Sequence, residues 1–210
     1  MKHCLLLALF LTLNGCALFS PELPPDSTHV NVTSELMSKY VAHRHALNKL
    51  EQWHASGKIA IITPDDRQST RMNWAHHSTH SKLILSNMLG VTLLEAEQSG
   101  AIARIKADGQ EHTGSSLATL VWQLSGFKMP ISAMTQWLTG NAEPNHISNM
   151  SLDANGHLLG FNQTLEGWGD EWKVTYNAYY PESKSMPALP STITLKHPEL
   201  TIKLVIHQWR

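Results

Sequence analysis

The stretch Lys82-Leu83-Ile84-Leu85-Ser86-Asn87-Met88-Leu89-Gly90-Val91, continuing to Gln98, decides how the chain folds. Leu83 and Leu85 alternate with Lys82 and Ile84, which predicts a strand with at least one buried face. Ser86 to Gly90 is a turn signal, and Val91 to Ala96 predicts a second strand. Turn tips face water, yet this one carries two large apolar side chains, Met88 and Leu89. A Leu left in water forgoes roughly 1.5–3 kcal/mol of burial. Either the loop folds back and Leu89 plugs the core, or the pair forms an apolar finger that touches a membrane or an acyl chain.

Working outward, the first half reads as a meander of short antiparallel strands. Trp53 to Ile62 places Ala55, Gly57, Ile59 and Ile61 on one face, and Thr70 to His76 places Met72 and Trp74 on one face. Pro64-Asp65-Asp66 is a turn, Gly100 separates two strands, and Asp108-Gly109 is the strongest hairpin signal. Such a sheet must curl or be covered to bury one face. The period then changes. Leu117, Leu120, Val121 and Leu124, with Trp122 beside them, predict a helix ended by Gly126; Ile131, Met134, Trp137 and Leu138 predict a second one after Pro130. Both are apolar enough to lie across the open side of the sheet. Strand patterns resume at 149–152, 158–164, 171–179, 192–196 and 200–209, with turns at Asn155-Gly156 and Gly167-Trp168-Gly169. Before the sheet, Thr33 and Ser34 can cap a helix carrying Leu36, Met37, Tyr40, Val41, Leu47 and Leu50.

The N-terminus sets the compartment. Leu5 to Leu13 is an apolar run too short to span a bilayer and of the length of a signal-peptide core. It ends in Leu13-Asn14-Gly15-Cys16, which resembles the bacterial lipobox, with Asn14 where Ala, Ser or Thr is usual. The resemblance implies cleavage after residue 15, diacylglyceryl on the Cys16 sulfur and acylation of its amino group. Ala17 in place of Asp implies sorting to the outer membrane. Residues 16–29, with Pro21, Pro24 and Pro25, read as a tether, and the folded domain is expected from residue 30 to 210. Of the two Cys, Cys4 leaves with residues 1–15, so no internal disulfide is expected.

A formal net charge of −1 gives no basic excess for nucleic acid. There is no phosphate-cradling loop, nucleophile elbow or Cys/His metal motif, so neither metal nor other cofactor is expected. Thirteen His call for weighing; His76, His77 and His80 share one turn but lack a spaced carboxylate, and read as solvated polar residues. Glu166, Asp170 and Glu171 suggest a hydrolase only if a second carboxylate faces them across a cleft. Seven Trp, together with Met72, Met88, Met129 and Met134, suggest a soft apolar interior instead. The two readings of the domain are a hollow that shelters fatty chains and a non-enzymatic, lipid-anchored scaffold with a packed core.

Several stretches together carry a family resemblance: Trp53-His54-Ala55-Ser56-Gly57-Lys58, Leu85 to Gly90, Leu120 to Pro130, Gln136-Trp137-Leu138-Thr139-Gly140, Trp172-Lys173-Val174-Thr175-Tyr176 and Met186-Pro187-Ala188-Leu189-Pro190. In this order, after a lipobox, they resemble the LolB family of outer-membrane lipoprotein receptors. The resemblance implies a mainly β fold, an incomplete, unclosed antiparallel β-barrel under an α-helical lid, enclosing an apolar cavity. It implies a monomer, not an enzyme, that takes acylated lipoprotein cargo from the periplasmic carrier LolA and passes it to outer-membrane lipid. Alternation and the apolar helices nominate Met72, Trp74, Leu83, Leu85, Leu120, Trp122, Leu124, Trp137 and Trp172 as lining. Leu89 occupies the place of the family's exposed loop Leu. Met88 stands where that family often has Pro, which implies a looser loop with a more apolar tip.

Overall fold

The computed structural model describes residues 32–126, 128–167 and 171–210. The signal segment, Cys16, the tether, Trp168 and Asp170 lie outside the described residues. In chain order the elements are α1 (Ser34–Leu47), β1 (Gln52–Ile62), β2 (Arg67–His77), β3 (His80–Ser86), β4 (Thr92–Ser99), β5 (Ile102–Ala107) and β6 (Gln110–Gly114). Then follow α2 (Leu117–Ser125), α3 (Ile131–Leu138), a 3-10 turn at Pro144–His146, β7 (Ser148–Leu152), β8 (Leu158–Thr164), β9 (Glu171–Tyr180), β10 (Leu189–His197) and β11 (Leu200–Trp209).

All eleven strands form one antiparallel sheet in the order β6-β5-β4-β3-β2-β1-β11-β10-β9-β8-β7. Two meanders are joined by β1 pairing with β11, and edge strands β6 and β7 do not meet, so the barrel stays open. The chain leaves one edge at β6 and re-enters at the other with β7. What lies between is α2 and α3, and they therefore cross the open, apolar side. Alternation places Trp53, Ala55, Ile59, Met72, Trp74, Val174, Tyr176, Ile193, Leu195, Ile202, Leu204 and Ile206 in the interior, all buried. At Gly57 the pairing with β11 shifts register, and a Cβ there would sit 2.0 Å from the Val205 carbonyl oxygen.

Thr33 caps α1 as expected, its hydroxyl accepting the Leu36 N–H at 3.2 Å. The buried stripe of this helix is narrower than its periodicity predicts: Leu36, Tyr40 and Leu47 are buried, but Val41 is exposed. Tyr40 donates its hydroxyl to the Ala142 carbonyl, and burial pushes its ionisation up to about 12. Arg44 pairs with Glu143. His43 donates Nε2–H to the Ala188 carbonyl at 2.9 Å and meets the His157 ring edge-on at 4.6 Å. His157 in turn bonds Asp153 at 2.9 Å. The β7–β8 turn presses against α1 at Gly156, where φ is +84° and a Cβ would come within 2.6 Å of the Tyr40 nitrogen. Only glycine satisfies both constraints.

The histidine turn departs from its expectation. His76 is half-buried against the Trp53 ring at 5.2 Å, and that burial lowers its basicity. Among the described residues no group of three His, Cys, Asp or Glu converges as metal ligands would.

Two predictions follow from this packing. Gly156→Ala should lower the unfolding free energy by about 1–3 kcal/mol, read from the urea midpoint at unchanged m-value, because α1 must shift to admit the methyl group. Burial holds His43 and His76 below the usual histidine value of 6.5 in the folded chain. The unfolded chain then binds more protons, so stability is complete above pH 6.5 and declines as pH falls through the depressed folded values. His43→Gln should flatten that decline in melts taken between pH 7 and about pH 5.

Candidate functional site

The finger between β3 and β4 does not fold back. Leu89 is 90% exposed and Met88 72%, with Val91 and Leu93 also exposed beside them. Asn87 holds the tip in shape. Its side-chain oxygen accepts the N–H groups of Leu89 and Val91, both at 3.0 Å, and its own N–H donates to the Val91 carbonyl at 3.0 Å. Gly90, at φ +86°, donates to the Asn87 carbonyl at 3.1 Å. The tip has local order although Met88 stands where the family often has proline. The order that proline could have supplied comes from an Asx turn one residue earlier.

The interior forms two clusters. The larger contains Met72, Trp74, Trp137 and Trp172, all fully buried, with Leu85 partly buried against it. The smaller, beneath α2, contains Leu120 with Ala96, Ala103, Ile105 and Leu117. Leu83 and Ile131 touch both and mark a seam between them. Two nominated residues are corrected: Trp122 is 51% exposed and Leu124 46%. Trp122 falls well away from the Leu117–Leu120 stripe at 100° per residue, and Leu124, though in line with that stripe, lies in the last turn before Gly126, so both stand half in solvent.

The two helices are fastened very differently. Trp137 of α3 donates its indole N–H to Gln163 at 2.9 Å, and its carbonyl accepts the Tyr176 hydroxyl at 2.8 Å. The same ring meets Phe161 and Trp172 at 6.2 and 5.9 Å. Burial pushes the Tyr176 phenol well above its usual ionisation range, so it remains a donor. On α2 the described polar bond to the sheet is at its first residue, where the Leu117 N–H meets the Gln98 side chain at 3.0 Å. The rest of its grip is apolar: Leu117 and Leu120 pack on Ala96, Ala103 and Ile105, with Leu83, Leu94 and Val121 beside them. Lys128, after α2, reaches the Gly167 carbonyl at 3.3 Å in the β8–β9 turn. The registers put that turn at the same end of the sheet as the finger.

The carboxylates do not form a catalytic pair among the described residues. Glu171 accepts from Ser148 and Asn162 at 3.1 and 3.0 Å on the outer face, and Glu166 is exposed in its turn.

Comparison with known proteins agrees with this architecture. Residues 51–209 match the family described as outer membrane lipoprotein LolB. The chain is 27% identical over 209 residues to the outer-membrane lipoprotein LolB of Pseudoalteromonas translucida, covering 100% of this chain and 94% of that protein. It is 30% identical over 171 residues to the protein of that name from Psychromonas ingrahamii, covering 81% of each. A crystal structure of a LolA superfamily protein from Nitrosomonas europaea aligns at a TM-score of 0.51 and 10% identity, over 86% of this chain and 94% of that one. At that identity the likeness concerns the fold alone.

Asn87→Ala should leave the fold intact, at a cost of about 0.5–1.5 kcal/mol, while loosening the finger. Hydrogen exchange at the Leu89 and Val91 amides should accelerate while core strands stay protected.

Proposed function

This chain belongs to the LolB family of outer-membrane lipoproteins, and from that premise we propose that it receives acylated lipoproteins from the periplasmic carrier LolA, shelters their chains between helices and sheet, and releases them into the outer membrane. The observation that carries the reading is Leu89, 90% exposed on a hydrogen-bonded loop that gains nothing for folding by holding it in water. In this reading residues 1–15 are the signal, Cys16 carries the lipid anchor, and residues 16–29 tether a monomeric domain to the periplasmic side of the membrane. Several acyl chains make that anchor stable where one would not.

The physical logic is that of a shielded hand-over. An acyl chain in water forgoes about 0.8 kcal/mol per CH₂, so it must be covered throughout. An apolar interior without a buried charge can cover it and still let it go. No nucleotide is needed if each acceptor in the series binds more favourably than the last. Space for the chain comes from parting the two clusters along Leu83 and Ile131, with weakly held α2 moving and α3 staying in place. The rival, an anchored scaffold with a solid interior, draws on the same packed clusters. An apolar dye bound by the mature domain and displaced by an acylated peptide separates the two, since a solid interior binds neither.

For the finger, Leu89→Glu should change stability by no more than about 0.5 kcal/mol, because the site is in water already. It should accept labelled lipoprotein from the carrier at the normal rate and fail to pass it to liposomes. Delivery at the unaltered rate would remove the finger from the mechanism.

A further inference from the structure

The outer face of the sheet divides electrostatically. On β3 to β6 the charges neutralise one another: Lys82 pairs with Glu95 at 2.9 Å, Arg104 with Glu111 at 2.9 Å, and Lys106 with Glu111 at 3.4 Å. On β2, β1, β11, β10 and β9 they do not. The registers align three successive outward rows there. Ser86, Arg71, Lys58 and Val205 form the first, at the base of the finger. Ser69, Ala60, Lys203, Thr194 and Thr175 form the second, and Arg67, Ile62, Thr201, Lys196 and Lys173 the third. The rows hold six exposed cations and no acid. None of the six lies within salt-bridge distance of a carboxylate among the described residues. Acidic residues at this end sit in turns, at Asp65, Asp66, Glu166 and Glu199, and at Glu171, which opens β9 on the same outer face as Lys173 and is engaged by Ser148 and Asn162.

Two of these cations oppose two others directly. Lys58 faces Arg71, and Lys173 faces Lys196. Like charges directly opposite across strands are destabilising, so the arrangement works against the fold. At the Gly57 bulge the first row also lines a shallow hollow, where Ser56, Asn73 and His207 surround Lys58 and Arg71. Two cations among hydroxyl, amide and imidazole groups suit a phosphate-bearing headgroup.

We propose that this face docks on the anionic phospholipid surface of the membrane, beside the apolar finger. It deepens the reading of the finger as a membrane-inserting tip and rests on it. Arg71 stands opposite Ser86, one residue before Asn87, so charge and apolar tip are contiguous. That combination is the one by which proteins hold a bilayer interface: apolar side chains enter it and cations draw in the anionic headgroups. A tether restrains distance only, whereas a face of fixed charges beside a fixed tip also sets orientation.

The test uses the whole mature chain carrying Cys16→Ala, so that no acyl anchor obscures the contact. Its partition is measured onto vesicles of phosphatidylcholine alone and of phosphatidylcholine with phosphatidylglycerol. The chain should bind the anionic vesicles more tightly, with the difference shrinking as salt rises. Each cation near an anionic surface contributes roughly a fivefold factor, so the combined substitutions Lys58→Gln, Arg71→Gln and Lys203→Gln should cost about a hundredfold on anionic vesicles. Binding to neutral vesicles should not change. Equal partition onto both vesicle types, or an unaffected triple variant, overturns the proposal. So does a triple variant that binds anionic vesicles normally but takes up lipoprotein slowly from the carrier, which would assign the face to an acidic protein. Loss of Leu89-dependent delivery into neutral vesicles is a separate readout and reports on the finger alone.

Discussion

A curled sheet whose edges do not meet has one apolar face that it cannot bury against itself. Everything else in this domain answers that constraint. Because β6 and β7 end at opposite edges, the chain between them has to cross the open side, and it does so as two short apolar helices. Nothing in this solution requires the two helices to be held equally. α3 is held by an indole bond, a buried tyrosine hydroxyl and aromatic packing. α2 rests on apolar packing, Leu117 and Leu120 over Ala96, Ala103 and Ile105, with one described polar bond at its first residue. Apolar packing of this kind has no directional partner to break, whereas α3 is pinned by two hydrogen bonds at Trp137. The seam at Leu83 and Ile131 lies where the firm and the weak halves of the cover meet.

Much of this was legible from residue pattern alone. Period-two alternation marked the strands because one face of each is buried, and Asp108-Gly109, Asn155-Gly156 and Gly126 marked turns and a helix end through the left-handed conformations glycine tolerates. What alternation could not supply was depth. It placed Trp122 among apolar neighbours on α2, but nine residues make barely more than two turns, and a side chain off the stripe of so short a helix has no second layer to enter. The loop tip was ambiguous for a related reason. An apolar residue at a turn reads the same whether the backbone folds inward or outward, and the answer lay in Asn87, whose side chain replaces strand-like hydrogen bonds with a local turn. The cationic rows were equally hidden. Lys58, Arg71, Lys173, Lys196 and Lys203 are far apart along the chain, and it is strand order that assembles them.

Energy separates the parts that fold the domain from the parts that do not. The interior clusters and the Tyr40 and Tyr176 hydroxyls all lower the free energy of the folded state. The exposed Leu89 forgoes burial, and the facing pairs Lys58–Arg71 and Lys173–Lys196 repel. Features that oppose folding and yet gather at one end of the sheet invite one explanation, not several. Headgroups and the acyl region beneath them would relieve both at once: apolar surface would leave water, and the unpaired cations would gain counter-charges. A second protein could meet one of these needs, but it would have to present an acidic patch and an apolar pocket in the same register. A phospholipid leaflet offers both everywhere along its surface. The β8–β9 turn that fastens Lys128, and with it the connection between the weak and firm helices, sits at that same end of the sheet. A chain released there by movement of α2 would emerge beside the finger instead of crossing open water, so the geometry that leaves Leu89 exposed also shortens the path its cargo must travel.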